Sequence, residues 1–243
     1  MARAARAEGA RAGNMSEETL RWRGGWARLS SWRGHDDVAY LSVGAVRPPT
    51  VEIVDRCLGA LRRQGFGAVV TSALPPADTL PFIDAGFSVR ERLHLLVHDM
   101  HDLPPTSRPT RRARRSDRRR VLELDRVAFD DFWRLDEAGL LDAIKATPSY
   151  RFRVIDARRL RAYAITGRAE RRGYLQRIAV HPDARREGLG RAVVADALHW
   201  LRRHRSVQTL VNTPLDNEAA VALYKSCGFR DMPTGLCVMG RDL

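Results

Sequence analysis

Lysine is nearly missing from this chain: Lys145 and Lys225 are the only two among 243 residues that carry 42 lysines and arginines together. The formal net charge of +13 is therefore almost entirely arginine. Such a surplus reads as a nucleic-acid face, as a genome's preference for arginine codons, or as positive potential for a small polyanionic ligand. Cysteine is scarce too. Cys57, Cys227 and Cys237 are odd in number and lie among apolar neighbours, so no disulfide framework and no metal set follows, which fits a reducing cytoplasm. No apolar run approaches the ~20 residues of a membrane span. The Arg- and Ala-rich opening MARAARAEGARAGN lacks the apolar core of a secretory signal. Residues 1–20 are expected to be a disordered tail, with Met15 as an alternative start and a transit peptide as the competing reading. At 44% hydrophobic and 29% charged, the rest has the composition of a globular chain of one large domain or two small ones.

Two further absences narrow the phosphate chemistry of Leu175–Arg191, LQRIAVHPDARREGLGR. An apolar strand (Tyr174–Val180) leads through Pro182 into a loop ending Gly188-Leu189-Gly190, and then into a helix. Glycines let the backbone approach a ligand closely, and the first helical turn leaves N–H groups without intrahelical partners. With the positive end of the helix dipole and flanking arginines, these donors suit a phosphate or pyrophosphate. A P-loop would need Gly-Lys-Ser/Thr, and Arg191-Ala192 follows Gly190 instead. A Rossmann turn would need a third glycine where Val193 stands.

Elsewhere the punctuation predicts two halves. In 21–105, Trp22, Trp26 and Trp32 precede a strand, and Val51, Val54, Leu58 and Leu61 recur at helical spacing as far as Gln64. A strand at Phe66–Thr71, a short helix at Ala77–Ala85 and an alternating segment at Val89–His98 follow. Pro104, Pro105, Pro109 and a burst of arginines mark a linker over 99–115. In 106–243 the order reads helix, helix, three strands, helix, strand, helix, strand. Ser116 is the expected N-cap of the first helix and Leu135–Ala146 the second. The halves echo each other: Leu58-x-x-Leu61-Arg-Arg parallels Leu198-x-x-Leu201-Arg-Arg, and Ala85-Gly-Phe87 parallels Cys227-Gly-Phe229. The first half has Arg47-Pro-Pro-Thr50 in place of the glycine loop and Phe82 in place of Tyr224. It reads as a scaffold without a site of its own.

A second motif runs Asp216-Asn217-Glu-Ala-Ala-Val-Ala-Leu-Tyr224-Lys-Ser-Cys-Gly228-Phe229. Asp216 or Asn217 can cap, Gly228 suits a left-handed C′ position, and Asn217 and Tyr224 lie nearly two turns apart on one face. The Arg-x-x-Gly-x-Gly loop and this Asn…LeuTyr…GlyPhe helix together resemble the GNAT superfamily of N-acetyltransferases. That resemblance implies a mixed, mostly antiparallel α/β sheet flanked by helices, here in tandem with a degenerate first copy, and acetyl-CoA as co-substrate. It implies that the backbone of Ile178, Ala179 and Val180 pairs with the pantetheine arm. The loop through Arg185, Arg186, Glu187, Gly188, Leu189, Gly190, Arg191 and Ala192 would cradle the pyrophosphate. Asn217 would contact CoA and Tyr224 would protonate the departing thiolate. The ribosomal-protein alanine acetyltransferases, similar in the second motif, carry Glu where this chain has Asn212, a departure that weakens the transfer of their substrate and general base. A water held by Gln176, Asn212, or a carboxylate such as Asp136 or Glu137 is the alternative. Phe129, Phe132 and Trp133 are expected either to shape the acceptor pocket or to be core aromatics. His94, His98 and His101 lack a Cys or carboxylate to complete a metal set, so no metal is expected. An amine acceptor, small or protein-borne, is the expected partner. The rival reading is a basic RNA- or ribosome-binding protein that has kept the fold.

Overall fold

The computed structural model describes residues 17–243 apart from 46 and 158; most of the expected tail, with Met15, lies outside them. The described residues open with a meander of β1 (Glu18–Trp22), β2 (Gly25–Trp32) and β3 (His35–Ala45), so residues 18–20, expected to belong to the tail, are instead the start of β1. Then come α1 (Val51–Arg63), β4 (Ala68–Thr71), the short α2 (Leu80–Asp84) and β5 (Ser88–His98). The two-residue edge strand β6 (Arg111–Arg112) leads into α3 (Arg118–Ala128) and α4 (Glu137–Lys145). The remainder is β7 (Ser149–Asp156), β8 (Leu160–Ala169), β9 (Arg172–Val180), α5 (Leu189–Arg203), β10 (Gln208–Pro214), α6 (Glu218–Ser226), β11 (Arg230–Asp231) and β12 (Leu236–Asp242). Ser116 does not cap α3. Residues Arg115–Asp117 form a 3-10 turn, and the buried Asp117 carboxylate accepts from the Arg114 N–H and from both ends of the Arg111 guanidinium.

Among the described residues these strands join one sheet in the order β1-β2-β3-β4-β12-β5-β10-β9-β8-β7-β6, with β11 against β5. Within it only β3–β4 and β9–β10 are parallel pairs. The order carries an exchange. β5, from the first half, lies between β12 and β10, while β12, from the second, lies between β4 and β5. The cores follow suit. Cys237 and Met239 of β12 pack with α1 and the first meander, and Leu96 and Met100 pack with α5 and α6. The linker near residue 105 is thus a boundary along the chain and not across the sheet.

The sequence echo has a geometric counterpart. Phe87 N–H donates to Phe82 O at 2.9 Å after Gly86 (φ +81°), as Phe229 N–H donates to Tyr224 O at 3.1 Å after Gly228 (φ +94°). Each is the left-handed helix exit that glycine permits. The exits of the two long helices match as well, Phe66 N–H reaching Leu61 O and Ser206 N–H reaching Leu201 O.

Candidate functional site

β9 and β10 are paired only over Arg172–Tyr174 and Gln208–Leu210. Beyond that, β10 stays with β5 and β9 stays with β8, so the strands part and leave the edge of Leu175–Val180 without a ladder partner among the described residues. A cavity of about 810 Å³ fills the wedge, running from the start of α5 past α6 to the segment after α3. A bulge at Gln176, where Arg177 pairs with Ile165 but Leu175 with Thr166, re-aims the side chains at the point of divergence. The Gln176 Nε2 lies 3.4 Å from Thr147 Oγ1, while its Oε1 is buried with no hydrogen-bond partner among the described residues. A buried orphan acceptor on a groove wall is a place for a ligand N–H or a water.

The loop before α5 turns through two left-handed residues, Arg186 (φ +65°) and Gly188 (φ +78°). No side chain of the described residues caps α5, so its first-turn N–H groups stay open at the positive end of the dipole. Arg185, Arg186, Gly188, Leu189, Gly190 and Arg191 all line the cavity. Gly190 is a packing glycine: a Cβ there would sit 2.9 Å from Leu223 Cδ2 of α6. Two loop residues face elsewhere. Glu187 pairs with Arg161, and Ala192 is buried in the core. Arg191 also donates to Ser226 O at 2.7 Å, tying α5 to the end of α6.

Asn217 is the α6 cap, its Oδ1 accepting from Ala220 N–H at 3.2 Å, and it shares the cavity wall with Tyr224 as their spacing requires. Tyr224 is 7% exposed and packs 5.7 Å from the Phe229 ring. Burial, helped by Cys227, pushes its phenol above the ordinary tyrosine pKa, with Arg177 opposing. The hydroxyl therefore keeps its proton. Asn212, exposed on β10, faces the same space.

At the far end, Phe129 and Trp133 line the cavity as expected, with Asp130 between them. Phe132 does not. It packs at a tilt against Trp32 and edge-to-face against Trp133, and carries Arg90 over its ring. The carboxylates named from sequence are placed otherwise too. Asp136 caps α4 through Gly139 N–H at 2.7 Å, and Glu137 is exposed, off the cavity wall. A charged network that the sequence did not single out stands behind this end. Arg177 makes two 2.8 Å bonds to Asp125 and one of 2.6 Å to Trp133 O, and stacks 3.4 Å over the Phe129 ring. Tyr163 donates to the same carboxylate. Burial works against the Arg177 charge, but the Tyr163 and Asp125 oxygens more than offset it and raise its pKa. An arginine amid the apolar LQRIAV run was the available signal. Arg33 reaches the cavity from the β2–β3 turn, and no local pattern marks it.

A splayed parallel pair beside an uncapped, arginine-flanked helix start forms a groove with open N–H donors and positive charge, which suits an anionic ligand. Residues 119–229 match the acetyltransferase (GNAT) family, and the chain carries a GNAT acetyltransferase domain there. Ribosomal protein bS18-alanine N-acetyltransferase of Escherichia coli strain K12 is 38% identical over 81 residues, covering 33% of this chain and 54% of that protein. The chain spans about half the length of the curated relatives it matches. Over the whole fold, a GCN5-related N-acetyltransferase from Kribbella flavida is similar at TM-score 0.62 and 14% identity, covering 93% of this chain and 89% of that one. A tandem GNAT protein from the clavulanic acid biosynthesis pathway is similar at TM-score 0.62 and 15% identity, covering 90% and 79%.

Proposed function

We propose that the chain transfers an acetyl group from acetyl-CoA to a primary amine, both bound together in the β9–β10 wedge. The observation that carries this is the continuity of one cavity from the open amides of α5, along the free edge of β9, to the buried phenol of Tyr224. The residues present fit the co-substrate: two arginine side chains without ion-pair partners among the described residues, Arg185 and Arg186, stand beside uncapped N–H groups, as a diphosphate requires. Acetyl-CoA supplies the activated acyl group as a thioester. The β9 edge at Ile178, Ala179 and Val180 offers main-chain partners to an extended amide arm and donors toward developing oxyanion charge, an effect worth about 3–4 kcal/mol in enzymes where it has been measured. Tyr224 holds its proton at Oη because burial raises its pKa, so the hydroxyl stays protonated until a thiolate leaves beside it. On the acceptor side, Asp130 replaces Asp136 and Glu137 as the carboxylate to test. The orphan Gln176 Oε1 and the Asn212 amide are the groups to hold a water or the amine itself.

The first half is proposed to be a degenerate GNAT-like copy. Its cavity beside Arg47-Pro48-Pro49 is about 130 Å³ and is walled by the ring of Phe82, which has no hydroxyl to donate. The acceptor named for the curated relatives, a ribosomal protein's alanine, is one member of the protein-borne class, and a small amine is the other class to test. The test is Tyr224→Phe, assayed for acetyl-CoA consumption against a panel of amines. A kcat lower by about 10²–10⁴ with CoA affinity nearly intact is expected, and an unchanged kcat removes Tyr224 from the mechanism.

A further inference from the structure

Arg33 and Gly34 are the two central residues of the β2–β3 hairpin, with φ of +45° and +80°. That is a primed turn, which favours Asn, Asp or Gly at its first position and disfavours arginine. The arginine is kept against its backbone preference, and its side chain enters the far end of the cavity. There the guanidinium lies 4.2 Å over the Trp32 ring and 5.2 Å from the Trp133 ring, and one Nη1 hydrogen bond of 2.9 Å ties it to Trp133 O. Among the described residues no carboxylate pairs with it. The neighbouring cation, Arg177, is already neutralised by Asp125. Burial first, and the Arg177 charge second, bring the Arg33 pKa down to about 10, so it remains charged at neutral pH without a counter-ion.

A guanidinium packed into the corner of two edge-to-face indoles, with one edge spent on a carbonyl, presents its other edge as a fork for a planar anion. Resting on the acetyl-transfer reading above, we propose that the acceptor is an amine bearing a carboxylate, and that Arg33, supplied by the non-catalytic half, selects it. Asp130, on the same stretch of wall, then faces the ammonium end of such a zwitterion. The role also says why the first half is retained: its hairpin completes the acceptor pocket of the second. Trp32 Nε1–H donating to Phe132 O at 3.1 Å fixes the hairpin against that pocket.

The test uses bisubstrate conjugates, in which CoA is joined through an acetyl bridge to the amine of glycine, β-alanine or 4-aminobutyrate, each beside its carboxamide counterpart. Calorimetric binding to the full chain needs no knowledge of the natural acceptor. At least one carboxylate conjugate is expected to bind ten-fold or more tighter than its carboxamide. Arg33→Gln and Arg33→Asn should erase that difference while leaving the affinity for CoA alone unchanged. Arg33→Asn suits the turn, so its melting temperature should confirm a folded protein. Equal binding of every acid and amide pair, or a preference that survives both substitutions, overturns the assignment of Arg33. Failure of CoA itself to bind would instead overturn the acetyl-transfer reading, and this one with it.

Discussion

Tyr224 is a core residue that also lines the wedge, and the acid role proposed for it rests on that double placement. It packs in the apolar cluster between α5 and α6 and at the same time contributes to the wall of the wedge. A separate residue-scale pairing governs acid stability. The hydrogen bonds from Arg111 hold the Asp117 carboxyl at about 2, against the cost of its burial and with help from the Arg114 N–H. The same guanidinium also grips Asp156, tying β6, the start of α3 and β7 together. A depressed carboxyl pKa stabilises the fold above the unfolded value near 3.9 and stops doing so as pH falls toward the folded value. Between pH about 4 and 2 the chain should therefore lose roughly 2 kcal/mol from this group. Urea denaturation of the wild type and Asp117→Asn measures it: the variant should be less stable at neutral pH, and the gap should close by pH about 2. A constant gap over that range would rule the linkage out.

At the scale of elements, the glycine loop is the most exposed to test. A Cβ added at Gly188 would meet open space, but the residue has a φ of +78°, so the obstacle to a side chain is backbone conformation and not crowding. Gly188→Ala should cost about 1–2 kcal/mol, read as a lower melting temperature, and should raise the KM for acetyl-CoA; Gly188→Asn, which tolerates the left-handed region, should lose less. Equal losses for the two would mean that φ does not govern the position. This loop and α6 were legible in the sequence because their signals are local: a cap, a dipole and a C′ glycine lie within about one or two turns of each other. The parallel exits after Leu61 and Leu201 were legible for the same reason. The acceptor end was not. Asp136 and Glu137 were plausible carboxylates by position along the chain, yet Asp136 spends its oxygen on Gly139 and the wall residue is Asp130. Ser116 was displaced as a cap because Asp117, one residue on, has Arg111 to pair with.

At the scale of the molecule, what the sequence could not reveal is the crossing of β5 and β12, since pairing partners far apart in the chain leave no periodic trace. Arg33 was hidden for the same reason, contacting Trp133 across 100 residues. The exchange predicts that the halves do not separate. A fragment of residues 106–243 loses β5 and, with it, Leu96 and Met100 from the α5–α6 core, so it should fail to fold, while the full chain melts in one calorimetric transition. A fragment with a cooperative melt of its own would refute this. Both halves thus serve one wedge, and the occupancy of that wedge decides the account. The most direct measurement is calorimetric titration of the full chain with CoA, alone and as an Arg185→Ala, Arg186→Ala double variant. Saturable one-site binding is expected, weaker in the variant and weaker at higher salt; no heat of binding at CoA concentrations up to about 1 mM would contradict it.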